Sequence, residues 1–308
     1  MDLDAVDPAL RDATERLPVP KVGTPLGRRA ARLATRVMAA PDVAGVRVRA
    51  VHDGALQLHV YEPDAVAAGR PGLVWVHGGG YVIGSWKQDH RLCAEAALRL
   101  GATVVSAEYR LAPEHPFPTP LDDVAAVWEW LQREARALGV DPRRIALGGE
   151  SAGAGLAACL AQRLLDAGGV TAAAQWLFAP MLDDATAADR ALDAVGHWVW
   201  TNAFNRVGWE AYLGQDAGRA EAPAYAVAAR RADLGGLPPA WIGVGDIDLF
   251  HAEDVRYAER LRMAGVPVEL DVVPGGPHGF ENWARDAAPA QALRGRALRW
   301  LATALAPD

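Results

Sequence analysis

The segment Arg144-Ile145-Ala146-Leu147-Gly148-Gly149-Glu150-Ser151-Ala152-Gly153 constrains this chain more than any other. A short apolar run leads into Gly149-Glu150-Ser151-Ala152-Gly153, and an alanine-rich helical pattern, Leu156 to Leu165, follows. A strand that turns into a helix through Gly-x-Ser-x-Gly holds its serine on a strained corner above the sheet edge. The glycines are mechanical, because side chains beside so tight a turn would collide with neighbouring strands. The hydroxyl is then presented at the positive end of the helix. With 31 glycines in the chain, such a pentapeptide can arise by accident, but serine is scarce. Only Ser85, Ser106 and Ser151 occur in 308 residues, and one of them stands at the corner.

Short apolar runs rich in valine, isoleucine and tryptophan recur at Val46–Val51, Leu56–Tyr61, Leu73–His77, Thr103–Ala107, Ile145–Gly148, Gln175–Ala179, Trp241–Gly245 and Val268–Val273. From Leu73 onward helical patterns separate most of them: Leu92–Leu100, Val124–Leu138, Leu156–Leu165, Asp254–Met263 and Ala290–Leu305. This alternation predicts an α/β fold with a mostly parallel eight-stranded sheet covered on both faces. His52-Asp53-Gly54-Ala55 joins the first two runs, and its Asp-Gly predicts a hairpin, hence an antiparallel start.

Two regions stand outside the alternation. Residues 1–45 are predicted helical, with Asp7 as N-cap and Pro8 at the first helical position. Residues 183–230 form an insert that carries Trp198, Trp200, Phe204, Trp209, Tyr212 and Tyr225. Both regions are expected to cap the site, leaving 46–308 as the catalytic domain to which 183–230 contributes part of the cap. Most of the aromatics are expected to anchor the insert, and Trp198, Trp200 and Trp209 are the candidates for a substrate pocket.

A net charge of −7 argues against nucleic acid and against an anionic membrane surface as partners. No run is apolar for long enough to span a bilayer. The acidic start Met1–Pro8 lacks the basic and apolar regions of a signal peptide. Cys93 and Cys159 sit in helix-like apolar patterns and read as buried free thiols. Together these features predict a cytoplasmic protein. With no Cys/His ligand cluster and no phosphate-binding loop, no metal or organic cofactor is expected.

Two further motifs carry chemistry. His77-Gly78-Gly79-Gly80 follows the strand at Leu73, and three consecutive glycines let backbone N–H groups face a ligand with no side chain in the way. Gly78, Gly79 and Ala152, the residue after the serine, are the candidate donors to a developing oxyanion. A serine also needs a base, and the base needs an orienting acid. His278, in Pro277-His278-Gly279-Phe280 after the last long strand, is the candidate base; His251 opens a helical pattern and reads as a surface residue. For the acid there are two aspartates in Gly245-Asp246-Ile247-Asp248, which in extended chain point the same way. Asp248 lies deeper, beside Leu249-Phe250, where an apolar setting would help it hold an imidazolium.

These motifs resemble the bacterial hormone-sensitive-lipase-like esterases of the α/β hydrolases. The resemblance runs from about Val46 to the end and rests on four ordered segments: His77–Gly80, Tyr109-Arg110-Leu111-Ala112-Pro113-Glu114, Gly149–Gly153 and His278-Gly279-Phe280. In that family the acid heads a stretch similar to Asp248-Leu249-Phe250, which selects Asp248 over Asp246. The amino-terminal helices look like the family's cap. Glu150 departs from the aspartate or threonine common at its position, a position the motif leaves free. The resemblance implies a serine carboxylesterase for small-molecule esters with acyl chains of about two to eight carbons, in a family that often forms homodimers. An amidase or peptidase would use the same residues. A non-catalytic small-molecule receptor on this scaffold would have lost the base, and His278 is present. Arg110 and Glu114 are expected to make structural ion pairs.

Overall fold

The computed structural model describes residues 1–18, 21–54, 56–65 and 68–307. Its strands are β1 (Val46–Asp53), β2 (Leu56–Pro63), β3 (Arg70–Val76), β4 (Thr103–Ala107), β5 (Val140–Glu150), β6 (Gln175–Phe178), β7 (Ala240–Gly245) and β8 (Val268–Val273). They form one sheet in the order β1-β2-β4-β3-β5-β6-β7-β8. β2 runs antiparallel to both of its neighbours, and every pairing from β4 to β8 is parallel. The β1–β2 connection includes Gly54 at φ 62°, as an Asp-Gly hairpin requires; Ala55 lies outside the described residues.

The helices are α1 (Arg11–Arg16), α2 (Pro25–Val37), α3 (His90–Leu100), α4 (Thr119–Glu134), α5 (Ala152–Ala167), α6 (Asp184–Ala188), α7 (Asn202–Leu213), α8 (His251–Met263), α9 (Phe280–Trp283) and α10 (Ala288–Ala304). The first α-helix starts later than Asp7. The Asp7 carboxylate accepts from Ala9 N and its carbonyl accepts from Leu10 N, which closes a single turn before α1 begins at Arg11. An Asp-Pro pair suits a turn as well as a helix start, and here the turn wins.

The strand alternation divides the interior into two layers. Val74, Val76, Ile145, Leu147, Leu177 and Ile242 face α4, α5 and α8. Leu73, Trp75, Trp176, Phe178 and Trp241 face α3 and α10. The second layer is an aromatic stack: Trp75 meets Trp176 edge-on at 5.5 Å, Trp176 meets Phe178 at 4.8 Å, and Phe178 meets Trp241 at 4.8 Å. Trp176 Nε1 also donates to the Ala297 carbonyl on α10 (3.1 Å). Cys159 belongs to the first layer and Cys93 to the second, so the sheet separates the two free thiols. Among the described residues no helix is long and apolar enough to cross a membrane.

The strand order also locates the site. β4 lies on one side of β3 and β5 on the other, so the winding direction reverses there, and a crevice opens beyond the carboxyl ends of these strands. The loops after β3, β5, β7 and β8 carry Gly78 and Gly79, Ser151, Asp248 and His278 in turn. Substituting Trp176→Ala should lower unfolding free energy by about 3–5 kcal/mol, because the aromatic stack cannot close over the gap. Met263→Ala, on a side chain 80% exposed, should change it by less than about 0.5 kcal/mol. Chemical denaturation midpoints at constant m-value measure both.

Candidate active site

β5 delivers Ser151 into a conformation that only a tight corner imposes: φ 56°, ψ −121°. That corner exists because its flanks are bare. A Cβ on Gly153 would overlap the carbonyls of Val76 and His77, and one on Gly149 would press on Gly153 and Ala154 at 2.6–2.7 Å. The serine opens α5, whose first residues supply unpaired N–H groups.

His278 stands on the loop between β8 and α9. Its Nε2 lies 3.0 Å from Ser151 Oγ and its Nδ1 lies 2.8 Å from Asp248 Oδ2. The other Asp248 oxygen accepts from Phe250 N (2.9 Å), which fixes the carboxylate. Phe250 meets the His278 ring edge-on at 5.2 Å. Ser151, Asp248 and His278 are all buried. Asp246 is exposed instead and accepts from Gly275 N (2.7 Å), pinning the β8 loop. Although two residues apart, the aspartates diverge because Gly245 ends the strand and the chain turns between them, so the extended-chain alternation no longer applies. His251 begins α8 and is half-buried.

Gly78 lies against the serine, where a Cβ would come within 3.4 Å of Ser151 Cβ. Gly79 adopts φ 118° and a Cβ there would overlap the Ile83 carbonyl. The amides of Gly78, Gly79 and Ala152 donate to no backbone group among the described residues. The loop is braced from below, since the His77 ring stacks on Tyr109 at 4.3 Å and the Tyr109 hydroxyl donates to the His77 carbonyl (3.0 Å). The rest of that segment is structural: Arg110 forks onto Asp123, and Glu114 pairs with Arg32.

Burial alone would push the His278 pKa down. The charge and hydrogen bond of Asp248, with a further contribution from Glu281, outweigh it, and the net shift is upward from 6.5. Glu281 is itself pushed up to about 7, chiefly by burial. A second buried carboxyl pair adjoins the corner. Asn282 Nδ2 donates to Asp89 Oδ1 (2.5 Å) and to Glu150 Oε2 (2.9 Å), while Trp75 Nε1 donates to Asp89 Oδ2 (2.8 Å). Burial, then the Asp89 charge, drives Glu150 well above the ordinary carboxyl range. Asp89 is raised too, again chiefly by burial. Two carboxyls so close together and so deeply buried oppose each other's ionisation. Glu150 thereby ties the serine corner to the His278 loop, a role the free position in the motif does not signal.

The insert approaches the loop after β3 from above. Val199, a β-branched residue, sits at φ 68° and delivers Trp200 against Gly80, where a Cβ would overlap the indole. The Trp200 ring lies 6.4 Å from that of His278. Trp198 is half-buried against the aromatic layer. Trp209 does not serve as a pocket wall: it has no accessible surface and packs on Tyr81 and Tyr212, anchoring α7 to the core. A pocket of about 500 Å³ opens beside this constellation, lined by Met38, Gln88, Glu150, Asn282 and Trp283 among others. It flanks the serine rather than standing over its hydroxyl. Among the described residues no group of three or more His, Cys, Asp or Glu side chains is placed to hold a metal.

A buried Ser–His–Asp line beside three free amides can attack a carbonyl and stabilise the resulting oxyanion. Comparison with known proteins agrees with that chemistry. A family profile described as the α/β hydrolase fold matches residues 73–282. The carboxylesterase NlhH of Mycobacterium tuberculosis is 36% identical over 255 residues, covering 81% of this chain and 79% of the relative. An ethyl acetate hydrolase of Pseudomonas putida is 34% identical over 241 residues, covering 73% and 71%. Among solved structures, a bacterial heroin esterase aligns with a TM-score of 0.90 at 34% identity, over 99% of both chains. With fold, motif order and relatives in agreement, this chain belongs to the hormone-sensitive-lipase-like bacterial esterases of the α/β-hydrolase family.

Proposed function

We propose that this carboxylic ester hydrolase cleaves short- to medium-chain acyl esters through an acyl-enzyme on Ser151. The observation that carries the reading is the hydrogen-bonded line from Ser151 Oγ through His278 to Asp248, with three free amides beside it. Ser151 Oγ attacks the ester carbonyl carbon while His278 Nε2 takes its proton. Asp248 holds the imidazole in the tautomer that leaves Nε2 free and stabilises the imidazolium. The carbonyl oxygen, now an oxyanion, accepts from Gly78, Gly79 and Ala152, each donor contributing about 3–4 kcal/mol of transition-state stabilisation. His278 returns the proton to the departing alkoxide, and the alcohol leaves. Water, deprotonated by His278, then attacks the acyl-enzyme and releases the acid.

Residues 1–45 and 183–230 act as the cap. Ser151 is only 3% exposed beneath them, which supports a closed, water-excluding site. Trp200, against Gly80 and near His278, is the wall residue best supported by position. A relative named for ethyl acetate supports small acyl groups. Two free buried thiols support residence in the reducing cytoplasm.

Ser151→Ala should remove esterase turnover, by roughly 10⁴-fold or more, with little change in melting temperature. Asp248→Asn should cost about 10⁴ by favouring the wrong tautomer, and Asp246→Asn far less; kcat of the folded variants tests both assignments. His278 works as a base only when neutral, so a raised pKa places the acid limb of kcat/KM above pH 6.5. Glu281→Gln removes a charge that favours the imidazolium, and the limb should move to lower pH. A p-nitrophenyl ester series run above and below substrate solubility should peak within about two to eight acyl carbons, with no jump in rate when droplets form. Preference for long chains with such a jump would instead mark a lipase lid.

A further inference from the structure

An amphipathic helix ordinarily turns its apolar stripe inward. In α2 the stripe faces out. Leu26, Ala30, Leu33 and Val37 recur at helical spacing along one face, and all four are exposed: Leu26 to 78%, Leu33 to 62% and Val37 to 68%. No residue of the helix is buried. The opposite face is the one held, by polar contacts. Arg32 donates to the carbonyls of Val82 (2.8 Å) and Ala112 (2.7 Å) and forks onto Glu114, while Arg28 reaches the Val22 carbonyl (3.0 Å). Ser85 Oγ donates to the Thr35 carbonyl (3.0 Å). Rolling the helix to bury its leucines would strand the Arg32 guanidinium and these carbonyls.

Charge follows the same geometry. Between Glu15 and Asp42 the chain has no acidic residue, while Arg16, Lys21, Arg28, Arg29, Arg32 and Arg36 fall in that interval. Arg29 and Arg36 flank the apolar stripe, are exposed, and form no ion pair among the described residues. The overall charge of −7 conceals this local basic face.

We propose that the outer face of α2 docks on an anionic lipid surface. The occupant must offer apolar depth to Leu26, Leu33 and Val37 and negative charge to Arg29 and Arg36, and anionic headgroups over acyl chains offer both. A two-fold contact between α2 helices would set the same arginines against each other. α2 ends at Val37, and the next two residues, Met38 and Ala39, border the pocket beside Glu150 and Asn282. Docking therefore brings that pocket to the surface into which apolar molecules partition. The docking does not depend on the esterase reading.

The full chain is to be floated, at low salt, with vesicles of phosphatidylcholine alone and of phosphatidylcholine mixed with phosphatidylglycerol. It should float with the mixed vesicles and not with the neutral ones. Arg29→Gln/Arg36→Gln should weaken binding roughly twenty- to thirtyfold, at about fivefold for each arginine near an anionic surface. Leu33→Gln/Val37→Gln should abolish it. Both pairs are on the surface, so the melting temperature should stay within about 3 °C of the parent chain, which shows that the variants are folded. Binding that ignores the anionic lipid, or that survives Leu33→Gln/Val37→Gln, overturns the proposal. So does a concentration-dependent dimer of a chain that does not float, if those two substitutions dissociate it.

Discussion

The first turn of α5 lies so close to the end of β3 that no Cβ fits between them, and the site depends on this approach. Gly153 rests on the carbonyls of Val76 and His77, and Gly149 on the backbone of Gly153 and Ala154. The same contact holds Ser151 at φ 56° and sets the loop after β3 beside it. A hydroxyl, the amide that follows it and the amides of Gly78 and Gly79 thus converge on one point. Strain at one residue is maintained by the packing of two buried strands, β3 and β5, and the helix between them and solvent.

Around that corner the interior is unusually rich in buried acid. Asp89, Glu150 and Glu281 are all raised, chiefly by burial, and Asn282 links two of them. Ionising every one would place several uncompensated charges in a low-dielectric layer, which is why all three titrate above the ordinary carboxyl range. The arrangement joins the serine corner to the loop that carries His278, while Glu281 adds a charge that favours the imidazolium. Elsewhere a buried Glu253, pushed up to about 8 chiefly by burial, accepts from Leu182 N, Asp183 N and Thr186 Oγ1, securing the start of the insert.

The two outer regions meet the body in different ways. The insert is tied by aromatic packing, with Trp209, Tyr212 and Tyr81 forming its root and Trp200 its tip over Gly80. α2 is tied by hydrogen bonds to carbonyls and by one ion pair, with its apolar side left free. Aromatic packing fixes position through area excluded from water; polar anchoring fixes orientation and leaves apolar surface for another partner.

By itself the sequence determined whatever depends on contiguous residues: the strand-turn-helix at Gly149–Gly153, the glycine loop at Gly78–Gly80, the alternation that makes a parallel sheet, and the order of motifs along the chain. Each is local, because backbone sterics and side-chain periodicity act over a few residues. Tertiary structure decided the rest. Asn282 reaches Asp89 and Glu150 across 193 and 132 residues, so no spacing announces it. The insert's tryptophans look alike in sequence, yet Trp200 lies over the glycine loop and Trp209 is root packing, since burial is a property of neighbours. Periodicity shows that α2 has an apolar stripe but not which way it faces; the carbonyls of Val82 and Ala112, waiting for Arg32, turned it outward.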